Sequence, residues 1–344
     1  MRGMGGAVAA ALCGAMMVAP ALRADPPVAV ATGAQAARPM EIVRLDPGLD
    51  AVIAPGTQVE RVASGFGFNE GPMWRQGRLW FSDLGKDRMY ALSPDGKVEL
   101  LIDKAGGYPA PWPGPNLGSN AMATDRDGSV LMVRQGGRAI VRLDAKLGIH
   151  PFLADYRGKR LNSPNDLVFA KDGALWFTDP PFGLPKMDKD PGKQLPFNGV
   201  YRYAGGKLTA VITDLTLPNG LGFSPDGKTF YVSNYGPHMF VRAYDVGADG
   251  ALSHPRMLID YAHPEGKGGP DGLKIDMAGN IWTTGPGGIR IITPEGKVLG
   301  QIRLPEVAAN LAFAEDGHTV YITASTGIYR LRSKVAGEMP LYRH

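Results

Sequence analysis

Six oxygen-bearing side chains recur through the chain at nearly regular intervals. They are Glu70, Asn120, Asn165, Asn219, Asp271 and Asn310, spaced 50, 45, 54, 52 and 39 residues apart. Each opens a short apolar run: EGPMW, NAMAT, NDLVF, NGLGF, DGLKI and NLAFA. Asn and Asp commonly begin strands after turns, and a single such residue would carry no further meaning. Six in register place a carboxylate or carboxamide at the same point of six repeated units. Two carboxylates, Glu70 and Asp271, crowded beside amide oxygens would repel each other and shift each other's pKa. A divalent cation relieves that repulsion. Oxygen ligands without histidine or cysteine select a hard ion, Ca2+ first, with Mg2+ or Mn2+ as alternatives. The six histidines have no H-x-x-x-H or similar spacing, which argues against an ordinary zinc site.

The elements that position these residues are repeated too. Apolar β-type runs stand at LWFSD (79–83), VLMVR (130–134), LWFTD (175–179), FYVSN (230–234), IWTTG (281–285) and VYITA (320–324). Turn strings such as DRDGS, AKDGA and SPDGK precede them and suit tight hairpins. A further strand follows each, as in RMYALS or GIYRLR. A period of about 40–50 residues with several strands per unit predicts propeller blades, here an all-β, six-bladed β-propeller over residues 56–336. The six axial side chains then start the innermost strands, at the mouth of the central channel. Trp74, Trp80, Trp176 and Trp282 fall within the repeat and read as core. Asp83 and Asp179, closing their strands, read as turn or supporting groups.

Composition excludes several alternatives. There are 47 glycines and 29 prolines in 344 residues, about 22% against roughly 12% in average usage, which disfavours a helical bundle. A formal charge of +4, with Arg2 and Arg23 near the N-terminus, is too weak and dispersed for a nucleic-acid surface. Residues 1–24 combine a cationic start, an apolar Ala/Gly/Val/Met run and small residues at Ala21 and Ala24, the pattern of a secretory signal peptide. Residues 25–55 read as a flexible leader into the fold, and 337–344 as a C-terminal tail. Cys13, the sole cysteine, lies in the segment to be removed, so a catalytic cysteine or a disulfide is excluded from the mature chain. The expectation is a periplasmic or secreted protein without stable membrane insertion.

The strings FNEGPMW, RLNSPNDLVF, LWFTDPPFG, LPNGLGFSPDG and GGPDGLKID resemble those of the senescence-marker-protein/gluconolactonase (regucalcin-like) family, in its longer NSPND-type branch. The likeness runs from about residue 60 to 332. It implies one axial metal, Ca2+ above all, held by Glu70, Asn165, Asn219 and Asp271, and hydrolysis of a cyclic ester, most directly a sugar lactone. Asn120 and Asn162 would then contact substrate. Asp271 would serve as general base toward water, or alternatively as a nucleophile. Two departures stand out. Ser163 occupies a position that is often Arg in members acting on sugar lactones, and Arg134-Gln135 stands where the branch tends to have a histidine-containing string.

Two other readings fit the same residues. One is a phosphotriesterase- or aryl-esterase-like hydrolase, with PAPWPGP (109–115) and PPFGLP (180–185) as apolar walls of the mouth. The other is a non-catalytic periplasmic binding propeller. The leader generates a direct prediction: intact-mass measurement of the exported protein shows an N-terminus after Ala21 or Ala24, and an uncleaved chain in the membrane fraction contradicts it.

Overall fold

The computed structural model describes residues 40–108 and 118–342. Six antiparallel sheets follow one another along the chain as blades of a β-propeller. The inner strands are Asn69–Arg75, Ser119–Thr124, Leu167–Phe169, Pro218–Phe223, Leu273–Ile275 and Ala308–Ala314. Each packs beside the next, and Ala308–Ala314 lies against Asn69–Arg75, so the ring closes. The hairpin glycines Gly128, Gly173 and Gly227 have φ of +81°, +80° and +76°, a region open to glycine at little cost.

The second strands are buried along nearly their whole length, as in Leu175–Asp179 and Ile281–Gly285. Each blade is covered on both faces by its neighbours, and this is why these strands read as continuous apolar runs rather than alternating ones. The core is accordingly divided into six clusters, one in each gap between blades. Trp80, Trp176 and Trp282 fill three of these gaps, and Trp74 stacks on Tyr321 in a fourth, with ring centroids 6.0 Å apart.

The N-terminal boundary of the fold differs from the sequence expectation. The part of the supposed leader that is described, residues 40–55, is built into the propeller. Glu41–Arg44 adds a fifth strand to the fifth blade, pairing Ile42 with Ile302. The short helix Leu49–Val52 follows, and Leu49 and Ile53 are wholly buried between the fifth and sixth blades. Those two blades leave apolar surface at their outer edge, and Leu49, Val52 and Ile53 cover it. The sixth blade takes its outermost strand, Glu60–Ser64, from the same N-terminal part of the chain. At the other end the supposed tail also packs. The backbone N–H of Glu338 donates to Ile275 O at 2.8 Å, and the Tyr342 ring meets Phe169 edge-on at 5.1 Å. Residues 1–39, which include the proposed signal peptide and Cys13, lie outside the described residues, as does 109–117. Among the described residues no helix is long and apolar enough to cross a membrane.

The seating of Leu49 is testable by truncation of its side chain. Leu49→Ala should cost about 2–5 kcal/mol in urea unfolding, whereas a flexible leader would show no change.

Candidate functional site

The inner strands are irregular where their axial residues sit. Pairing with the second strand shifts register between Glu70 and Met73, Ser119 and Met122, Pro218 and Leu221, and Ala308 and Asn310. In the third and fifth blades regular pairing begins only at Leu167 and Leu273, two residues beyond Asn165 and Asp271. Bulges of this kind re-aim a side chain out of the pleat. The residue after three of the axial groups is glycine because the next blade's backbone or amide occupies the space. A Cβ on Gly71 would strike Asn120 O, one on Gly220 Asp271 O, and one on Gly272 the Asn310 amide.

Hydroxyls one strand further out pin these backbones. Ser82 Oγ donates to Asn120 O at 2.8 Å, and Ser233 Oγ to Asp271 O at 2.6 Å. The Asp271 N–H donates to Thr284 Oγ1 at 2.6 Å, and Thr323 Oγ1 donates to Asn310 O at 3.3 Å. Sequence reasoning passed over this ring, although its signal is visible as the Ser or Thr near the end of LWFSD, FYVSN, IWTTG and VYITA.

The result is a cavity of about 150 Å³ at the channel mouth. Its polar lining is Glu70, Asn120, Gln135, Asn165, Asn219 and Asp271, and its apolar lining Phe68, Leu84, Phe182 and Tyr235. Five of the six axial residues therefore meet around one space. The Asp271 carboxyl lines the cavity together with Glu70 and Asn219. Burial first, and then the charge of Asp166, push Glu70 above the usual carboxylate range, against the Gly71 N–H and the Asn310 amide. Burial, followed by the Glu70 charge, pushes Asp271 well above it too. Glu70 Oε2 is satisfied by Gly71 N and by Asn310 Nδ2 at 3.0 Å, while Glu70 Oε1 and Asn219 Oδ1 are buried without a partner among the described residues.

Two of the expected residues are placed differently. Asn310 does not line the cavity. Its Nδ2 holds Glu70, and its Oδ1 accepts from Leu311 N at 2.9 Å and Lys274 Nζ at 3.2 Å. Asn162, expected at the substrate, is fully buried and lies outside the lining. Its Nδ2 donates to Asp179 O at 3.1 Å, Phe197 O at 2.9 Å and Asn198 Oδ1 at 3.1 Å. The contraction of NSPN around Asp179 explains this: Asp179 accepts the N–H groups of Asn162 and Ser163 at 2.8 and 2.7 Å. Burial raises its carboxyl to about 7 despite those bonds. Asp83 has the turn role expected, accepting from the N–H of Gly67, Phe68 and Lys86 at 2.9–3.1 Å. Of the two proposed walls, PPFGLP contributes Phe182, and 109–115 is outside the described residues.

Comparison with known proteins agrees with this architecture. Residues 68–326 match the family described as SMP-30/Gluconolactonase/LRE-like region. The chain belongs to that family. It is 37% identical over 313 residues to a gluconolactonase of Zymomonas mobilis, covering 86% of this chain and 87% of that one. The solved structure of a gluconolactonase from Xanthomonas campestris superposes with a TM-score of 0.74 at 32% identity, over 86% of this chain and 99% of the other. A diisopropyl-fluorophosphatase of Loligo vulgaris is 27% identical over 213 residues, or 58% of this chain and 66% of its own.

The family implies a metal, and the residues present fit one. The donor set consists of carboxylate and amide oxygens, two of them buried and unpartnered, as a hard cation requires. Sequence reasoning missed the counter-charge. Lys274 Nζ lies 3.7 Å from the Asp166 carboxylate and lowers the pKa of Glu70. Lys274 therefore offsets part of the negative charge beside the cavity. Among the described residues no three His, Cys, Asp or Glu side chains are grouped to hold a metal by themselves, so the amides of Asn165 and Asn219 are needed.

The raised carboxyls fix the sign of a pH effect. In chelator-treated protein the folded state keeps protons that unfolded carboxyls release near pH 4, so this contribution to stability is present in acid and lost as pH rises. Thermal unfolding of that protein should occur at lower temperature at pH 8 than at pH 5. Glu70→Gln should remove much of the difference; an unchanged slope in this variant contradicts the assignment.

Proposed function

We propose that this protein is a metal-dependent hydrolase of cyclic esters, a lactonase whose natural substrates include sugar lactones. The observation that carries the proposal is the Glu70–Asp271 pair sunk in a cavity beside unpartnered amide and carboxylate oxygens. Membership of the family and likeness to two gluconolactonases support it.

Glu70, Asn165, Asn219 and Asp271 would hold the ion, with Ca2+ the first choice. Bound there, a hard divalent cation supplies Lewis-acid polarisation of the ester carbonyl and offsets charge developing on its oxygen. Asp271, which reaches the cavity with a strongly perturbed carboxyl, takes the proton as water attacks the carbonyl carbon. The ring C–O bond breaks, and the departing alkoxide receives that proton to leave a hydroxy acid. Asn310 and the Gly71 N–H fix Glu70 by occupying its Oε2, which leaves Oε1 directed to its function. Asn120 contacts the substrate from the polar wall. The leader at 1–24 supports action in the periplasm or outside the cell.

A second reading has its own support. The apolar wall of Phe68, Leu84, Phe182 and Tyr235 and the resemblance to a diisopropyl-fluorophosphatase suit aryl esters or phosphotriesters. A panel of sugar lactones, unsubstituted lactones, aryl esters and phosphotriesters, assayed with and without chelator, separates the readings. Lactones should be turned over fastest, and chelator should abolish turnover. Failure on every class identifies a binding propeller instead.

The role of Asp271 is tested by Asp271→Asn, which keeps size and one coordinating oxygen but removes basicity. Calcium binding by calorimetry should weaken modestly while kcat falls about 10²–10⁴-fold. Asn219→Asp serves as control, since it adds charge without touching the base. Wild-type turnover in Asp271→Asn would show that Asp271 only holds the ion.

A further inference from the structure

We infer that Gln135 is a specificity-determining residue that, paired with Asn120, reads the hydroxyl groups of the substrate; this rests on the lactonase reading above. Gln135 follows the second strand of the second blade, Val130–Arg134, and its side chain lines the cavity. Its backbone is fixed at both ends. The N–H donates to Gly118 O at 3.2 Å, and the carbonyl accepts from Arg138 N at 3.1 Å and Ser163 Oγ at 3.4 Å. The residue is only 1% exposed, so its amide must find partners or lose stability.

One partner is inside the protein: Asn120 Nδ2 donates to Gln135 Oε1 at 3.2 Å. Gln135 Nε2 and Asn120 Oδ1 make no hydrogen bond among the described residues, and both side chains face the cavity. Whichever way the two amides are turned, their mutual bond consumes one N–H and one oxygen and leaves a donor and an acceptor side by side. A hydroxyl both donates and accepts, so a hydroxyl, or two on neighbouring carbons, satisfies the pair. Phe68, Leu84 and Phe182 offer no hydrogen bond to a substrate.

Leaving such a pair unpaired against a substrate without hydroxyls is penalised. The test compares wild type with Gln135→Leu on δ-gluconolactone and on δ-valerolactone, which has the same ring without hydroxyls. Binding of gluconate, the ring-opened product, is measured in parallel by calorimetry. Gln135→Leu should lose about tenfold in kcat/KM on gluconolactone, chiefly through KM, as expected for one or two hydrogen bonds, and change δ-valerolactone turnover by less than about twofold. Gluconate binding should weaken by a similar factor. Gln135→His should recover much of the loss, since a neutral imidazole accepts from Asn120 with one nitrogen and donates with the other. If Gln135→Leu does not fold, Gln135→Glu keeps the acceptor but lacks the donor and is read in the same way. An equal loss on both lactones, no loss on either, or no gluconate binding by the wild type overturns the inference. If the wild type hydrolyses neither lactone, the lactonase reading fails, and gluconate binding alone still decides the role of Gln135.

Discussion

Glu70 and Asp271 are pressed together where water is largely excluded, and the construction of the channel mouth follows from that constraint. Two carboxyls lining one small cavity, each raised by burial, are a poor choice for stability alone. They persist because the surrounding backbone leaves them no alternative position. Register shifts turn the axial residues inward, glycine lets adjacent inner strands approach, and serine and threonine hydroxyls lock the strand starts in place. Lys274 offsets part of the charge from within the channel. Departures from local rules of this kind concentrate at functional sites.

Much of this was legible in the sequence because a propeller writes its architecture repeatedly. The blade count, the inner strands and the mouth of the channel all come from one pattern seen six times. Equivalent positions need not do equivalent work, however. Asn310 looks the same as Asn219 in the repeat, yet its two amide atoms are claimed by Glu70 and Lys274, neither of which is near it in sequence. The surroundings of Asn162 were hidden for a related reason: the motif shows its proximity to Asn165 but not the fold of NSPN around Asp179. Residues 41–55 were misread because they cover an edge formed by strands far along the chain, Ile42 pairing with Ile302, and no local pattern reports that.

The cavity separates two tasks spatially. The groups suited to a cation come from the starts of inner strands, where a shift of register would disturb the whole blade. Leu84, Gln135, Phe182 and Tyr235 all lie just beyond second strands, on the connections to the third. The Tyr235 ring packs against Gly269, where a Cβ would meet it at 2.9 Å, so this wall rests on a glycine in the loop that leads to Asp271. Connections of this sort accept sequence change far more readily than the elements they join. New preferences among substrates can therefore arise on the rim while the axial residues stay as they are, and the four rim positions follow LWFSD, VLMVR, LWFTD and FYVSN closely enough to be found in any such repeat.

The strand Glu60–Ser64 completes a blade whose other three strands come from the far end of the chain. That arrangement sets a timetable for synthesis. Glu70 emerges from the ribosome early, but the amide that steadies it belongs to Asn310, 240 residues later. Contacts so distant in sequence form slowly and late. A partly made or C-terminally clipped chain lacks not just a blade but the support of its first axial carboxylate. Assembly of the channel mouth thus depends on closure of the ring: Glu70 gains its Asn310 contact only when the first and sixth blades have met.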